Sequence, residues 1–319
     1  MIGRRSLAFV AISIAVALIS QLRLRAAHVA AQQQPIFIAA VDSVELDVAV
    51  MQANKPVAGL TAADFEVMDN GVKQTIVAIS REQQPIDVSL VLDISGSVRG
   101  ILLDELVKAV NKVRQRLRAD DRLEVLTFNH HISERVALSD AKSVRTIALD
   151  GAEGSTSLND AIVVALARQP EASRRQLAIV FTDGIDTSSF LDERSVLETA
   201  GRSQAAVFVV TTWTSWTDEF FAKLTDRTGG VVQIVPSPTI VIRTDHINIS
   251  VDPRLPTYTP TPDSETLSSS FLRAFDDFRT SYVLRYSITG VRRDGWHDVA
   301  VRITKPGHYQ VRARKGYMG

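Results

Sequence analysis

No cysteine occurs among the 319 residues. That excludes disulfides, thiolate metal sites and cysteine nucleophiles. Net charge is also missing: 36 Lys and Arg balance 36 Asp and Glu, so no global field draws the chain to nucleic acid or to an anionic surface. No glycine-rich phosphate loop is found. No Gly-x-Ser-x-Gly elbow is found either, because Gly96-Ser97-Val98-Arg99-Gly100 has the wrong spacing for a serine hydrolase. A phosphoryl-accepting aspartate at Asp93 would want a second acid two residues on, where this chain has Ser95. Long hydrophobic runs are nearly absent. Residues 7–19 form one, too short for a comfortable membrane span. It follows Arg4-Arg5 and precedes the small residues Val29-Ala30-Ala31, so residues 1–31 read as a secretory signal peptide and the mature chain as periplasmic or secreted. An uncleaved anchor, held by Arg23 and Arg25, is the alternative, and the only route by which a membrane becomes a partner.

What is present is a repeated punctuation of buried strands by oxygen-bearing turns. Val88-Ser89-Leu90-Val91-Leu92 reads as a strand buried on both faces, and it ends in Asp93-Ile94-Ser95-Gly96-Ser97 just before a helical pattern. Gly154-Ser155-Thr156-Ser157 precedes another helix. Ile179-Val180-Phe181-Thr182-Asp183-Gly184 is a second buried strand ending in a carboxylate. In a parallel sheet these ends share one edge, the edge where ligands bind. Every donor in the set is oxygen, which suits a hard cation such as Mg²⁺.

The surrounding pattern alternates strand and helix over residues 85–235. Strands are expected at 87–93, 122–129, 176–182, 205–212 and 231–235, and helices at 101–118, 157–168, 192–203 and 217–228. Such alternation predicts an α/β fold with a doubly wound, mostly parallel sheet. Residues 130–137 add an edge hairpin. Residues 41–82 read as antiparallel strands with an Asp69-Asn70-Gly71 hairpin turn. Residues 266–317 read as one helix and three further strands. Three strands before the α/β unit and three after it predict a small antiparallel β-sandwich built from N- and C-terminal segments. Residues 236–265, with six prolines, read as an exposed insertion.

Asp-x-Ser-x-Ser at Asp93, Ser95 and Ser97, the lone Thr156, and Thr-Asp-Gly around Asp183 together resemble the metal-ion-dependent adhesion site of von Willebrand factor A domains. The flanking Gly59-Leu60-Thr61-Ala62-Ala63-Asp64-Phe65-Glu66-Val67 and the terminal Val311-Arg312-Ala313-Arg314-Lys315-Gly316-Tyr317 are similar to those of exported bacterial proteins of that family. The resemblance implies that Ser95 and Ser97 contact the cation directly, and that Thr156 does so when a ligand is bound. Asp93 and Asp183 then supply charge in the first or second coordination sphere. It implies Mg²⁺, with Mn²⁺ or Ca²⁺ as alternatives, and a protein partner whose acidic side chain completes the octahedron. The function so implied is metal-dependent adhesion in the bacterial cell envelope, without catalysis. A structural envelope scaffold with a non-essential metal site is the alternative, and a metal-assisted hydrolase ranks third.

Other residues carry weaker expectations. Asp160 reads as a solvated helix residue and Asp186 as a loop or N-cap residue. His130 and His131, if on a strand, point to opposite faces. Trp213 and Trp216 follow a strand end on the site's edge. Arg312, Arg314 and Lys315 read as a solvated strand face.

Overall fold

The computed structural model describes residues 43–82, 84–171, 173–212, 218–235 and 266–319. The expected signal peptide, Trp213, Trp216 and the proline-rich insertion lie outside the described residues. Among the described residues, no helix is long and apolar enough to cross a membrane.

Six strands form the central sheet: β5 (Ile86–Asp93), β6 (Arg122–Phe128), β7 (Ile132–Asp140), β8 (Arg175–Thr182), β9 (Ala206–Thr211) and β10 (Val232–Ile234), in the order β10-β9-β8-β5-β6-β7. All pairings are parallel except that of the edge strand β7, which returns antiparallel beside β6. The chain builds outward from β5 to β6, then crosses back to place β8 on the other side of β5. The strand order therefore reverses at β5, and a crevice opens beyond its carboxyl end.

Every residue of β5 is buried. Its alternation divides the core in two. Ile86, Val88, Leu90 and Leu92 face α1 (Ile101–Arg116) and α5 (Leu267–Arg279), whose own stripes are Leu102, Leu106, Val110 and Val113, and Phe271, Phe275 and Phe278. Val91 faces the opposite layer of α2 (Leu158–Leu166), α3 (Glu193–Arg202) and α4 (Asp218–Thr228). Asp87 and Ser89 also occupy β5, where periodicity alone would place apolar groups. Arg122 and Arg174 neutralise Asp87, and the Ser89 hydroxyl donates to Glu124, which pairs with Arg168. The two buried polar groups of β5 at Asp87 and Ser89 are thus satisfied.

The remaining strands come from both ends of the chain: β1 (Ser43–Gln52), β2 (Lys55–Pro56), β3 (Phe65–Asp69), β4 (Val72–Arg81), β11 (Tyr282–Ser287), β12 (Trp296–Ile303), β13 (Gln310–Arg312) and β14 (Gly316–Met318). Their hydrogen bonds run as one path, β13-β1-β11-β4-β3-β12-β14, with β2 beside β1. Four strands from each end, rather than the three expected, share this one path. They share one core around Leu46, Val48, Phe65, Val67, Leu284 and Tyr286. Asn70 and Gly71, both at positive φ (46° and 77°), make the two-residue turn that pairs Asp69 with Val72.

The C-terminal basic cluster is a solvated face only at the exposed Lys315. The Arg314 side chain is buried. It donates to the carbonyls of Ala200, Gly201 and Ser203 at the end of α3, and to the carbonyl of Gly316 in its own tail. Arg312 is half-buried over the Phe208 ring, with Asp277 at 3.5 Å. Helix-end carbonyls have no partner within their own helix, and here a distant arginine supplies one.

Candidate functional site

Asp93 ends β5 and is fully buried. Its Oδ1 accepts from the Ser95 backbone N–H (2.8 Å) and its Oδ2 from the Thr182 hydroxyl (2.7 Å). Ile94 and Val98, both buried, anchor the loop that follows. The Ser95 and Ser97 hydroxyls lie 3.2 Å apart, and Ser97 Oγ donates to Asp183 Oδ1 at 2.9 Å. Four of the five expected residues therefore form one connected cluster. Ser95 is buried, Asp183 half-buried and Ser97 exposed, so the cluster opens to solvent on one side.

Thr156 joins through the backbone. The Gly96 N–H donates to the carbonyl of Gly154 (3.0 Å), and Glu153 N–H donates to that of Ile94 (3.0 Å), which lays the Thr156 loop along the serine loop. Gly154 has φ +76°, and a Cβ there would meet the His130 ring at 2.2 Å. Only glycine permits both that backbone and that approach. Thr156 is itself buried. Its N–H donates to Thr187 Oγ1, and its carbonyl accepts from the N–H groups of Thr187 and Ser188.

Burial pushes both the Asp93 and the Asp183 carboxyls above the usual carboxylate range. Hydrogen bonds from Ser95 and Thr182 to Asp93, and from Ser97 to Asp183, only partly offset it. No lysine or arginine is paired with either among the described residues. Two carboxylates and three hydroxyls at one sheet edge form an all-oxygen donor set of the kind hard cations take. They fit a divalent ion: its charge would offset the desolvation that the carboxylates now carry.

Several residues near the site behave differently from their sequence reading. Asp160 is not simply solvated: its two oxygens accept the N–H groups of Phe190 (3.0 Å) and Leu191 (2.9 Å). Asp186, by contrast, is the loop residue its sequence reading expects, and it caps α2 from outside, accepting the Asn159 N–H at 2.9 Å and also binding Ser189. His130 and His131 do not point to opposite faces. They sit in the turn between β6 and β7, where strand alternation does not apply, with ring centroids 4.1 Å apart. Thr182, present in the Thr-Asp-Gly motif but given no role by the sequence reading, holds Asp93.

A family model for the von Willebrand factor type A domain matches residues 87–241. Inter-alpha-trypsin inhibitor heavy chain H2 of Mus musculus is 28% identical over 125 residues, covering 36% of this chain and 13% of that protein. Its counterpart in Mesocricetus auratus is 31% identical over 98 residues, covering 28% of this chain and 10% of that one. The chain thus spans only a small part of these relatives' length. A solved von Willebrand factor type A structure from Catenulispora acidiphila aligns over 80% of this chain and 73% of its own, with a TM-score of 0.46 and 13% identity. With the strand order and the crevice already in place, the match over residues 87–241 means that this chain carries a von Willebrand factor type A domain.

Proposed function

We propose that this domain binds a protein partner through a divalent cation, with the partner's carboxylate completing the coordination shell. Domains of this family are interaction modules, and many hold a divalent metal. The observation that carries the reading is the pairing of Asp93 and Asp183, both held above the usual carboxylate range by burial, with the hydroxyls of Ser95, Ser97 and Thr156 at the same sheet edge. Ser95, Ser97 and Thr156 would hold the ion, and Asp93 and Asp183 would supply its negative charge. Because the hydroxyls that would contact the ion directly are neutral and the aspartates would act partly through water, an acidic partner supplies a charged ligand in direct contact. Mg²⁺ is the expected ion, Mn²⁺ and Ca²⁺ the alternatives. No catalytic step is assigned. The N-terminal segment directs the chain to the envelope or beyond it.

The test is calorimetric titration of Mg²⁺ and Mn²⁺ into the chelator-treated chain, beside an Asp93→Ala, Ser95→Ala double variant. Saturable one-to-one binding that the double variant loses is the expected result. Equal binding by both proteins would overturn the assignment.

Thr182 gives a finer prediction. Its hydroxyl orients Asp93 without lying among the five ligand positions. Thr182→Val keeps the side-chain shape and removes that hydrogen bond. Cation affinity is expected to fall about 10-fold, the usual effect of losing a residue that orients a metal ligand. Unchanged affinity in the same titration would show that Asp93 needs no such support.

A further inference from the structure

Phe190 is fully exposed, the only phenylalanine among the large exposed hydrophobics of the described residues, and Leu191 and Ile185 near it are partly exposed. All three lie on the segment between Asp183 and α3. An exposed aromatic on a loose loop would carry little meaning, but this loop is tied down along its length. Asp160 accepts the N–H groups of Phe190 and Leu191. The Asp186 carboxylate holds Ser189 and the first turn of α2. The Ser157 and Ser188 hydroxyls meet at 2.9 Å, and Thr187 and Ser188 hold both backbone groups of Thr156.

The loop therefore starts at one ligand position, Asp183, is fastened at mid-length to another, Thr156, and ends by presenting Phe190. Ordering is the main cost of placing an aromatic in an interface, and here the fold has met it beforehand. Phenylalanine brings a large apolar area at two rotatable bonds, which is the character of a hot-spot residue. Beside the serine loop, the exposed Arg99 guanidinium lies over Gly96, fixed by its Nε to the Ala152 carbonyl at 3.0 Å. A cation site bordered by a positive group and by an apolar platform is complementary to one kind of segment.

We propose that the partner is a protein segment carrying an acidic side chain and a bulky apolar side chain close together, the acid directed to the cation and the apolar group packed on Phe190 and Leu191. This rests on the metal-dependent reading above and adds the second point of contact. Selectivity among acidic partners then comes from the platform, because the cation accepts any carboxylate.

The probe is an array of glycine-serine decapeptides. Each carries one Glu, with Phe, Leu or Trp placed at every position within four residues of it. Controls lack the apolar residue or replace Glu by Gln. The full chain, Phe190→Ser and the Asp93→Ala, Ser95→Ala variant are applied in Mg²⁺ and in chelator. Phe190 makes no buried contact, so Phe190→Ser is expected to fold normally.

In Mg²⁺, peptides with both groups should be retained about fivefold or more over Glu-only peptides, a gain in the range of a single interface contact. Phe190→Ser should lose that gain and keep the retention of Glu-only peptides. Equal retention with and without the apolar residue, or a preference that survives Phe190→Ser, would overturn the platform and leave the metal reading standing. No Mg²⁺-dependent retention of any Glu peptide would overturn both.

Discussion

Arg314→Ala is expected to lower unfolding free energy by about 3 kcal/mol, read from the midpoint of a denaturant titration. The guanidinium sits where three carbonyls end α3, those of Ala200, Gly201 and Ser203, and it also reaches Gly316. Burial pulls its pKa down to about 10. At neutral pH it remains charged, and a cation at a helix C-terminus is favourable in addition to its hydrogen bonds. Removing it leaves those carbonyls buried with no donor. Nearby contacts depend on the same seat. Lys315 donates its backbone N–H to the Asp226 carbonyl and its ammonium pairs with the Asp226 carboxylate, while Arg227 lies over the Trp296 ring at 4.8 Å. Arg314→Lys should recover little, because one ammonium cannot span the four carbonyls that a planar fork reaches. A loss below about 1 kcal/mol would mean that water takes over the capping.

That residue also shows where sequence reading ends. The strands were legible because β5, β8 and β9 are buried on both faces, and a continuous apolar run announces that state. That Asp93, Ser95, Ser97 and Asp183 meet was legible because a buried strand ending in Asp or followed by Asp and Ser is a local pattern, whereas Thr156 lies before α2 and follows no strand. Arg314 was not legible, since its role is set by the α3 carbonyls, far earlier in the chain. Alternating Arg312, Arg314 and Lys315 reads as surface unless the helix end above is known. Asp160 failed for the same reason. A position one helical turn beyond Thr156 reads as solvated unless the 184–191 loop is known to fold over it. The two histidines failed for a local reason: strand alternation does not govern residues in a turn.

Asp93→Asn is expected to abolish cation binding and yet stabilise the chelator-treated protein at neutral pH. The loss of binding should be about 100-fold or more, because the substitution removes one of only two charges available to the ion. The gain in stability follows from burial. Asp93 is fully buried, and its carboxyl titrates above the usual range because desolvation outweighs the hydrogen bonds from Ser95 and Thr182.

Such a group binds its proton more tightly folded than unfolded. Its contribution is therefore most favourable in acid and is lost as pH rises from the unfolded-state value through the raised folded one. Asparagine carries no such penalty. Its carbonyl can still accept from the Ser95 N–H. Its amide can donate to Thr182, whose hydroxyl has the Gly184 carbonyl, 3.2 Å away, as a second acceptor. The variant should thus exceed the wild type in stability at neutral pH, where the folded protein carries the cost of ionising the buried Asp93. The two should converge in acid. Asp183, also raised by burial, remains in both proteins, and its repulsion with the Asp93 carboxylate is removed in the variant, which acts in the same direction. Saturating Mg²⁺ should reverse the order at neutral pH, since only the wild type gains binding energy. Thermal unfolding at several pH values, with and without Mg²⁺, reads both effects in one series. A variant less stable than wild type in chelator would show that Asp93 is held by its hydrogen bonds rather than strained by its burial. The expected pattern instead marks a residue kept for what it binds, at a cost to the fold that the cation offsets.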